Sequence, residues 1–379
     1  MQFRDLKKQY TVLKEDIDKA MVDVAASGQY INGPWVKELE SELSEYVGVK
    51  HCITCANGTD ALYITMMAWG IKDGDAVFVP DFTFFSSGEV VSHAGGTPIF
   101  VDVDKDTYNI DTRSLEEAIE KVISEGKLKP RAIVAVDLFG LPANFEDINK
   151  IADKYSLLVL EDGAQGFGGE INGKKACSFA DVGITSFFPA KPLGCYGDGG
   201  AIFTDDDELA ALMQSIKVHG KGKMKYDNVR VGLNSRLDTI QAAILQVKFK
   251  AFKEYELSDV NEAARKYTEL LSLNLGEKVE LPVIPKGYLS SWAQYTIKLK
   301  DKETRDSLQA ALKEEGIPSM VYYPKPMHKQ EAFGIKGEYE YDCSNTKELC
   351  DTVLSLPIHP YLTEEDIKTV VLTLSDKLK

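Results

Sequence analysis

Leu157-Leu158-Val159-Leu160-Glu161-Asp162-Gly163-Ala164-Gln165 and, further along, Ser186-Phe187-Phe188-Pro189-Ala190-Lys191-Pro192-Leu193-Gly194-Cys195-Tyr196-Gly197-Asp198-Gly199-Gly200 are the stretches that decide the fold. Four consecutive aliphatic residues read as a buried strand, and Asp162 then falls at its carboxyl end, where open α/β sheets place their ligands. The second stretch sets one lysine between a short apolar run and a glycine-rich turn. Pro189 and Pro192 stiffen the backbone on either side of Lys191, and Phe187-Phe188 provide burial. A lysine amine is a poor nucleophile near neutrality unless it is desolvated or placed beside positive charge, and this setting supplies the first condition.

An amine, a strand-end carboxylate and donors for an anion are what pyridoxal phosphate requires of a protein. The donors are expected at Ala56-Asn57-Gly58-Thr59-Asp60-Ala61-Leu62. His51 to Cys55 reads as a strand and Asp60 to Trp69 as a helix, so Gly58 and Thr59 open that helix, where backbone N–H groups and the dipole attract a phosphate. An ordinary cap by Thr59 or Asp60 is the alternative. Gln165 has two readings, a hydrogen bond to the ring hydroxyl of the cofactor or a cap on the next turn.

Apolar runs alternate with helical patterns from residue 51 to about 161. Val77-Phe78-Val79, Ile99-Phe100-Val101, Ile133-Val134-Ala135-Val136 and Leu157-Leu158-Val159-Leu160 are the clearest strands, and Val182 to Thr185 and Ala201 to Phe203 extend the sheet around the lysine. The expected fold is α/β, a large domain with a mostly parallel central sheet over residues 1–250 and a smaller C-terminal α+β domain over 251–379. A helical pattern without proline runs from Leu237 to Leu273 and bridges the two.

Several motifs, in order, give the chain a wider likeness: Gly28-Gln29-Tyr30-Ile31-Asn32-Gly33-Pro34, Asn57-Gly58-Thr59-Asp60-Ala61-Leu62, Asp81-Phe82-Thr83-Phe84, the acid and lysine segments, Gly232-Leu233-Asn234-Ser235-Arg236-Leu237-Asp238, Tyr322-Tyr323-Pro324-Lys325-Pro326-Met327-His328, and Ser355-Leu356-Pro357. Over almost its whole length the sequence resembles the DegT/DnrJ/EryC1/StrS nucleotide-sugar aminotransferases, which are fold-type I pyridoxal phosphate enzymes. The resemblance implies that Lys191 is the lysine joined to the cofactor and the one that later moves the proton. Asp162 would pair with the pyridine nitrogen, Phe84 would stack on the ring, and Gln165 would sit near the ring hydroxyl. Gly58, Thr59 and Ser186 would hold the phosphate, with Asn234 reaching it from a neighbouring subunit of a homodimer. Arg236, Tyr323 and His328 would face the substrate; for Arg236 an ion pair with Asp238, and for His328 a structural role, are the plain alternatives.

The Gly197-Asp198-Gly199-Gly200 turn and Leu193 match the branch that aminates C3. The expected substrates are therefore glutamate and a UDP-linked 3-keto sugar, such as the 3-keto uronic acid of a 2-acetamido sugar, whose carboxylate Arg236 could meet. A dTDP-3-keto-6-deoxyhexose, a 4-keto sugar, a dehydratase of the same fold and a noncatalytic regulatory or scaffold protein are the alternatives.

Composition sets the limits. With 44 Lys plus Arg against 59 Asp plus Glu, the net charge of −15 excludes a general nucleic-acid or anionic-membrane binder. No apolar run suits a signal sequence or a membrane span, and six irregularly spaced cysteines suit reduced thiols, so a cytoplasmic protein is expected. No metal is expected, because the five histidines lack ligand spacing. Gly168 to Lys174 imitates a phosphate loop, but Lys175 stands where Ser or Thr belongs and Asn172-Gly173 reads as a hairpin turn. The basic segment Lys221 to Tyr226 is either a solvated loop or a contact for substrate phosphates.

Overall fold

The computed structural model describes residues 1–224, 226–334 and 342–378. Its centre is a seven-stranded sheet built from β1 (His51–Cys55), β2 (Asp75–Pro80), β3 (Thr97–Val101), β4 (Lys129–Val136), β5 (Leu158–Asp162), β8 (Val182–Ser186) and β9 (Gly200–Thr204), in the order β1-β9-β8-β5-β4-β2-β3. Only β9 runs against the others. Between β5 and β8 lies a small hairpin, β6 (Glu170–Ile171) and β7 (Lys174–Lys175). Its turn residues Asn172 and Gly173 both have positive φ, 50° and 84°, which is why the glycine-rich stretch there makes a hairpin and not a phosphate loop.

The helices before, between and just after these strands are α1 (Leu6–Ser27), α2 (Pro34–Val47), α3 (Gly58–Ala68), α4 (Ser86–His93), α5 (Thr112–Glu125), α6 (Phe145–Tyr155) and α7 (Asp207–Ile216). Local chemistry sets their ends. Asn144 caps α6 through the Asp147 amide, Glu146 and Asp147 complement its positive end, and Phe145, Ile148 and Ala152 form the face that is buried. One layer of core, with Val77, Val134 and Leu160, lies under α3, α4 and α7; the other, with Phe78, Ile133 and Val159, lies under α5 and α6.

The long helical run expected from Leu237 to Leu273 forms as α8 (Thr239–Ala251), one π-helical turn at Phe252–Glu256, and α9 (Leu257–Leu275). After it come β10 (Tyr288–Leu289), β11 (Tyr295–Lys298), α10 (Lys302–Glu314), α11 (Ser344–Thr352), β12 (Val353–Leu356) and α12 (Glu364–Lys377). The pair β11–β12, α9, α10 and α12 enclose a separate core around Tyr267, Tyr295, Leu356 and Leu374. Among the described residues no helix is long and apolar enough to cross a membrane.

Candidate active site

Topology brings the two deciding stretches together. Strands β5 and β8 are parallel neighbours, with Asp162 opposite Ile184, so the carboxyl end of β5 lies beside the start of the loop that joins β8 to the antiparallel β9. Lys191 rides on that loop. Phe187 N donates to Gly199 O at 2.8 Å and Cys195 N to Phe187 O at 2.8 Å, so the loop is closed at its base and the lysine turn, with Lys191 N on Phe188 O at 2.9 Å, is fixed over the strand ends.

Asp162 is 3% exposed. It accepts from Ser87 Oγ at 2.8 Å and from the Ala164 amide at 3.2 Å, both neutral donors. Burial raises its pKa, and the Ser87 and Ala164 hydrogen bonds and the Lys191 charge oppose that rise. For Lys191 the sign reverses: burial lowers the amine, Asp162 pulls it back up, and Arg4 lowers it further. The result is a buried carboxylate with no cation hydrogen-bonded to it among the described residues, and a desolvated amine beside it.

The start of α3 forms the opposite wall. Asn57, not Thr59 or Asp60, is the cap: its side chain accepts from the Asp60 amide at 2.7 Å. The helix therefore begins at Gly58, two residues before the expected start, and the N–H groups of Gly58 and Thr59 lie in the unbonded first turn. Ser186 at the end of β8 faces them so closely that a Cβ on Gly58 would stand 2.7 Å from Ser186 Cβ. A Cβ on Gly200 would stand 2.5 Å from the Asn57 carbonyl, which explains the glycine where β9 passes this corner.

These groups line one cavity of about 630 Å³, together with Phe84, Gln165 and Tyr323. Phe84 is 53% exposed, an aromatic face left open to the cavity. Gln165 is spoken for on both ends of its amide: Oε1 accepts from the Phe139 N–H at 2.8 Å and Nε2 donates to the Tyr323 hydroxyl at 3.1 Å. It thereby ties the chain after β5 to Tyr323 from the C-terminal part. Sequence reasoning missed Ser87, three residues beyond Asp81-Phe82-Thr83-Phe84, and it missed Gln294 and Lys325, which line the cavity.

Three expected site residues lie elsewhere in this chain. Asn234 is exposed, outside the cavity, and accepts from Arg236 Nη2 at 2.6 Å. Arg236 forms no ion pair among the described residues, Asp238 included. His328 is held away from the cavity by Asp81, with Nδ1 2.6 Å from Oδ2 and its backbone N donating to Oδ1 at 2.8 Å. Asp81, His328 and Cys343 bring potential ligand atoms within 4.8 Å of one another, a grouping that spacing along the chain does not reveal. Burial and the Asp81 and Asp102 charges push the Cys343 thiol up, which disfavours the thiolate that a metal needs. Of the basic segment, Lys221 pairs with Asn228 in a bridge and Lys225 lies outside the described residues.

The arrangement fits pyridoxal phosphate. Asp162 offers a buried anion bonded, among the described residues, only to neutral donors, suited to a protonated ring nitrogen. Gly58, Thr59 and Ser186 meet at a corner of the cavity where a Cβ on Gly58 would press into Ser186, and Lys191 stands over the strand ends with a lowered pKa.

Comparison with known proteins agrees. Residues 11–375 match the profile of the DegT/DnrJ/EryC1/StrS aminotransferase family. The UDP-2-acetamido-2-deoxy-3-oxo-D-glucuronate aminotransferase of Pseudomonas aeruginosa is 44% identical over 377 residues, covering 99% of this chain and all of its own. A crystal structure of a DegT DnrJ EryC1 StrS aminotransferase from Brucella abortus superposes with a TM-score of 0.94 at 47% identity, covering 99% of this chain and 98% of that one. The Bacillus subtilis protein ntda, solved with bound cofactor PMP, superposes with a TM-score of 0.87 at 31% identity over 97% of this chain and 82% of its own.

Proposed function

The chain belongs to the DegT/DnrJ/EryC1/StrS aminotransferase family, and from that premise we propose that it carries an amino group from glutamate to C3 of a UDP-linked 3-keto sugar, in particular UDP-2-acetamido-2-deoxy-3-oxo-glucuronate. The observation that carries this reading is the meeting of Lys191, Asp162 and the Gly58–Ser186 cradle in one cavity. Pyridoxal phosphate bound there supplies an aldehyde for the amine and a protonated ring that draws electron density from the carbon giving up its proton.

The protein's own groups do the rest. Asp162, desolvated and oriented by Ser87 and Ala164, holds the positive ring nitrogen. The Gly58 and Thr59 amides with the Ser186 hydroxyl fix the phosphate at the positive end of α3. Phe84 covers one face of the ring and keeps water from it. Lys191 would take the proton from the carbon bearing the substrate nitrogen and hand it to the cofactor carbon that carries the same nitrogen, and its burial favours the neutral amine that this needs.

Asn234 and Arg236 lie outside the cavity of their own subunit, which supports a homodimer in which each serves its partner's site: Asn234 the phosphate, and Arg236, free of any ion pair among the described residues, the sugar's carboxylate. Tyr323 lines the cavity and would face the sugar, while His328, bonded to Asp81, lies outside that lining. Six free, buried cysteines support residence in a reducing cytoplasm. The test is direct: enzyme loaded with glutamate is offered UDP-linked 3-keto and 4-keto sugars, and 2-oxoglutarate and amino-sugar product are measured. Turnover of the 3-keto uronate supports the reading; turnover confined to a 4-keto sugar contradicts it.

A further inference from the structure

Arg4 enters the lysine turn from the far end of the chain. The segment before α1 is anchored at Phe3, whose carbonyl accepts from the Ile358 amide at 3.3 Å, and Arg4 Nη2 donates to the Pro192 carbonyl at 3.1 Å. Pro192 follows Lys191 directly and has no N–H to bond with, so this carbonyl is its one backbone handle. The guanidinium is partly buried and forms no ion pair among the described residues. The charged and titratable groups facing it are Glu256, Tyr361, Lys248, His359 and Lys191, and Asp162 faces Lys191 from β5. Glu256 is the single carboxylate in the first set, and its Oε1 is occupied by Gln9 Nε2 at 2.8 Å and the Tyr361 hydroxyl at 2.6 Å. Positive charge is in excess behind the turn.

We propose that Arg4 is a positioning residue for Lys191, pinning the turn through the Pro192 carbonyl and placing a permanent positive charge behind the amine, so that the amine is neutral when it must react. Arginine suits the task because its guanidinium stays charged where a buried lysine would lose its proton. Lys248, close by and 1% exposed, shows that effect, its amine lowered to about 8 by burial and by Arg4. The same two causes act on Lys191, against Asp162. The proposal rests on the reading that Lys191 carries the cofactor.

The experiment is the pH dependence of cofactor capture by the stripped enzyme, followed through the visible absorbance that develops when pyridoxal phosphate joins the lysine. Arg4→Gln moves the midpoint of capture upward by on the order of one pH unit, about tenfold slower capture below it. Arg4→Lys recovers only part of the shift, because a lysine buried there loses its charge as the pH rises. Glu256→Gln, which keeps an oxygen for Gln9 and Tyr361 but removes the opposing charge, moves the midpoint downward. This variant still decides the matter if Arg4→Gln does not fold. A folded Arg4→Gln with the wild-type midpoint, or a Glu256→Gln shift upward, overturns the role of Arg4. Unchanged visible capture by Lys191→Ala overturns the underlying reading instead, and is thereby distinguished.

Discussion

Gly58→Ala tests the phosphate cradle with a single methyl group. The added Cβ stands 2.7 Å from Ser186 Cβ, 3.2 Å from its Oγ and 3.3 Å from its Cα. Carbon atoms rest at about 3.5–4.0 Å, so the start of α3 and the end of β8 must part by roughly 1 Å. The Cα belongs to the central sheet and cannot yield, so the helix start moves. A displacement of that size takes a hydrogen bond from about 2.9 Å beyond its useful range. Losing one or two charge-assisted bonds to the phosphate costs about 2–4 kcal/mol, or roughly 30- to 1,000-fold in the dissociation constant of the cofactor. The empty protein loses about 0–2.5 kcal/mol, because the 0.5–1 kcal/mol or so that alanine gains over glycine in a helix partly offsets overpacking of about 1–3 kcal/mol. The assay is absorbance titration of the stripped protein with pyridoxal phosphate, beside calorimetry of the same protein. A folded Gly58→Ala that binds within about threefold of wild type refutes the placement of the phosphate at this helix start.

Asp162→Asn leaves the stripped protein as stable as wild type or more so, since burial already works against the Asp162 charge, yet lowers transamination by at least roughly 100-fold; parallel loss of folding and activity contradicts the ring-nitrogen role. Glu161 and Asp137 are fully buried side by side: burial raises Glu161 to about 7, and burial with the Glu161 charge raises Asp137 well above its ordinary value. Raised carboxyl values mean that the folded state binds more protons than the unfolded one, so this contribution is complete below the ordinary carboxylate range and is lost as pH rises through about 7 and beyond. Asp137→Asn, a fixed neutral group in its place, should gain stability over wild type as pH rises from about 5 through about 7, measured by thermal melts; a constant difference across that range refutes the raised Glu161 and Asp137 values. Finally, mixing Lys191→Ala with Asn234→Ala subunits should restore about a quarter of wild-type sites, as one site of each mixed dimer is complete; a mixture no more active than its parts removes Asn234 from the partner's site.

What the sequence reveals, and what it hides, divides by range. The strand ending in Asp162, the lysine loop and the helix that starts near Gly58 rest on local patterns, and all three form as read. The helix start is displaced by two residues because Asn57 outcompetes Thr59 as the cap, a choice between adjacent side chains that propensity does not resolve. The partners of the site were hidden for a different reason. Ser87 meets Asp162 across 75 positions, Asp81 meets His328 across 247 and Arg4 meets Pro192 across 188, and no local periodicity marks such pairs. Glu161 illustrates the same limit: alternation along β5 points it away from Asp162, into a pocket of its own with Asp137, Cys177 and Phe179.

The central claim is that Lys191 is the residue to which the cofactor is joined. Holoenzyme reduced with borohydride and digested should yield, by mass spectrometry, one peptide bearing the reduced cofactor, with the label on Lys191 and absent from Lys191→Ala. Label on any other lysine, or none on a protein that binds the cofactor and transaminates, contradicts the account.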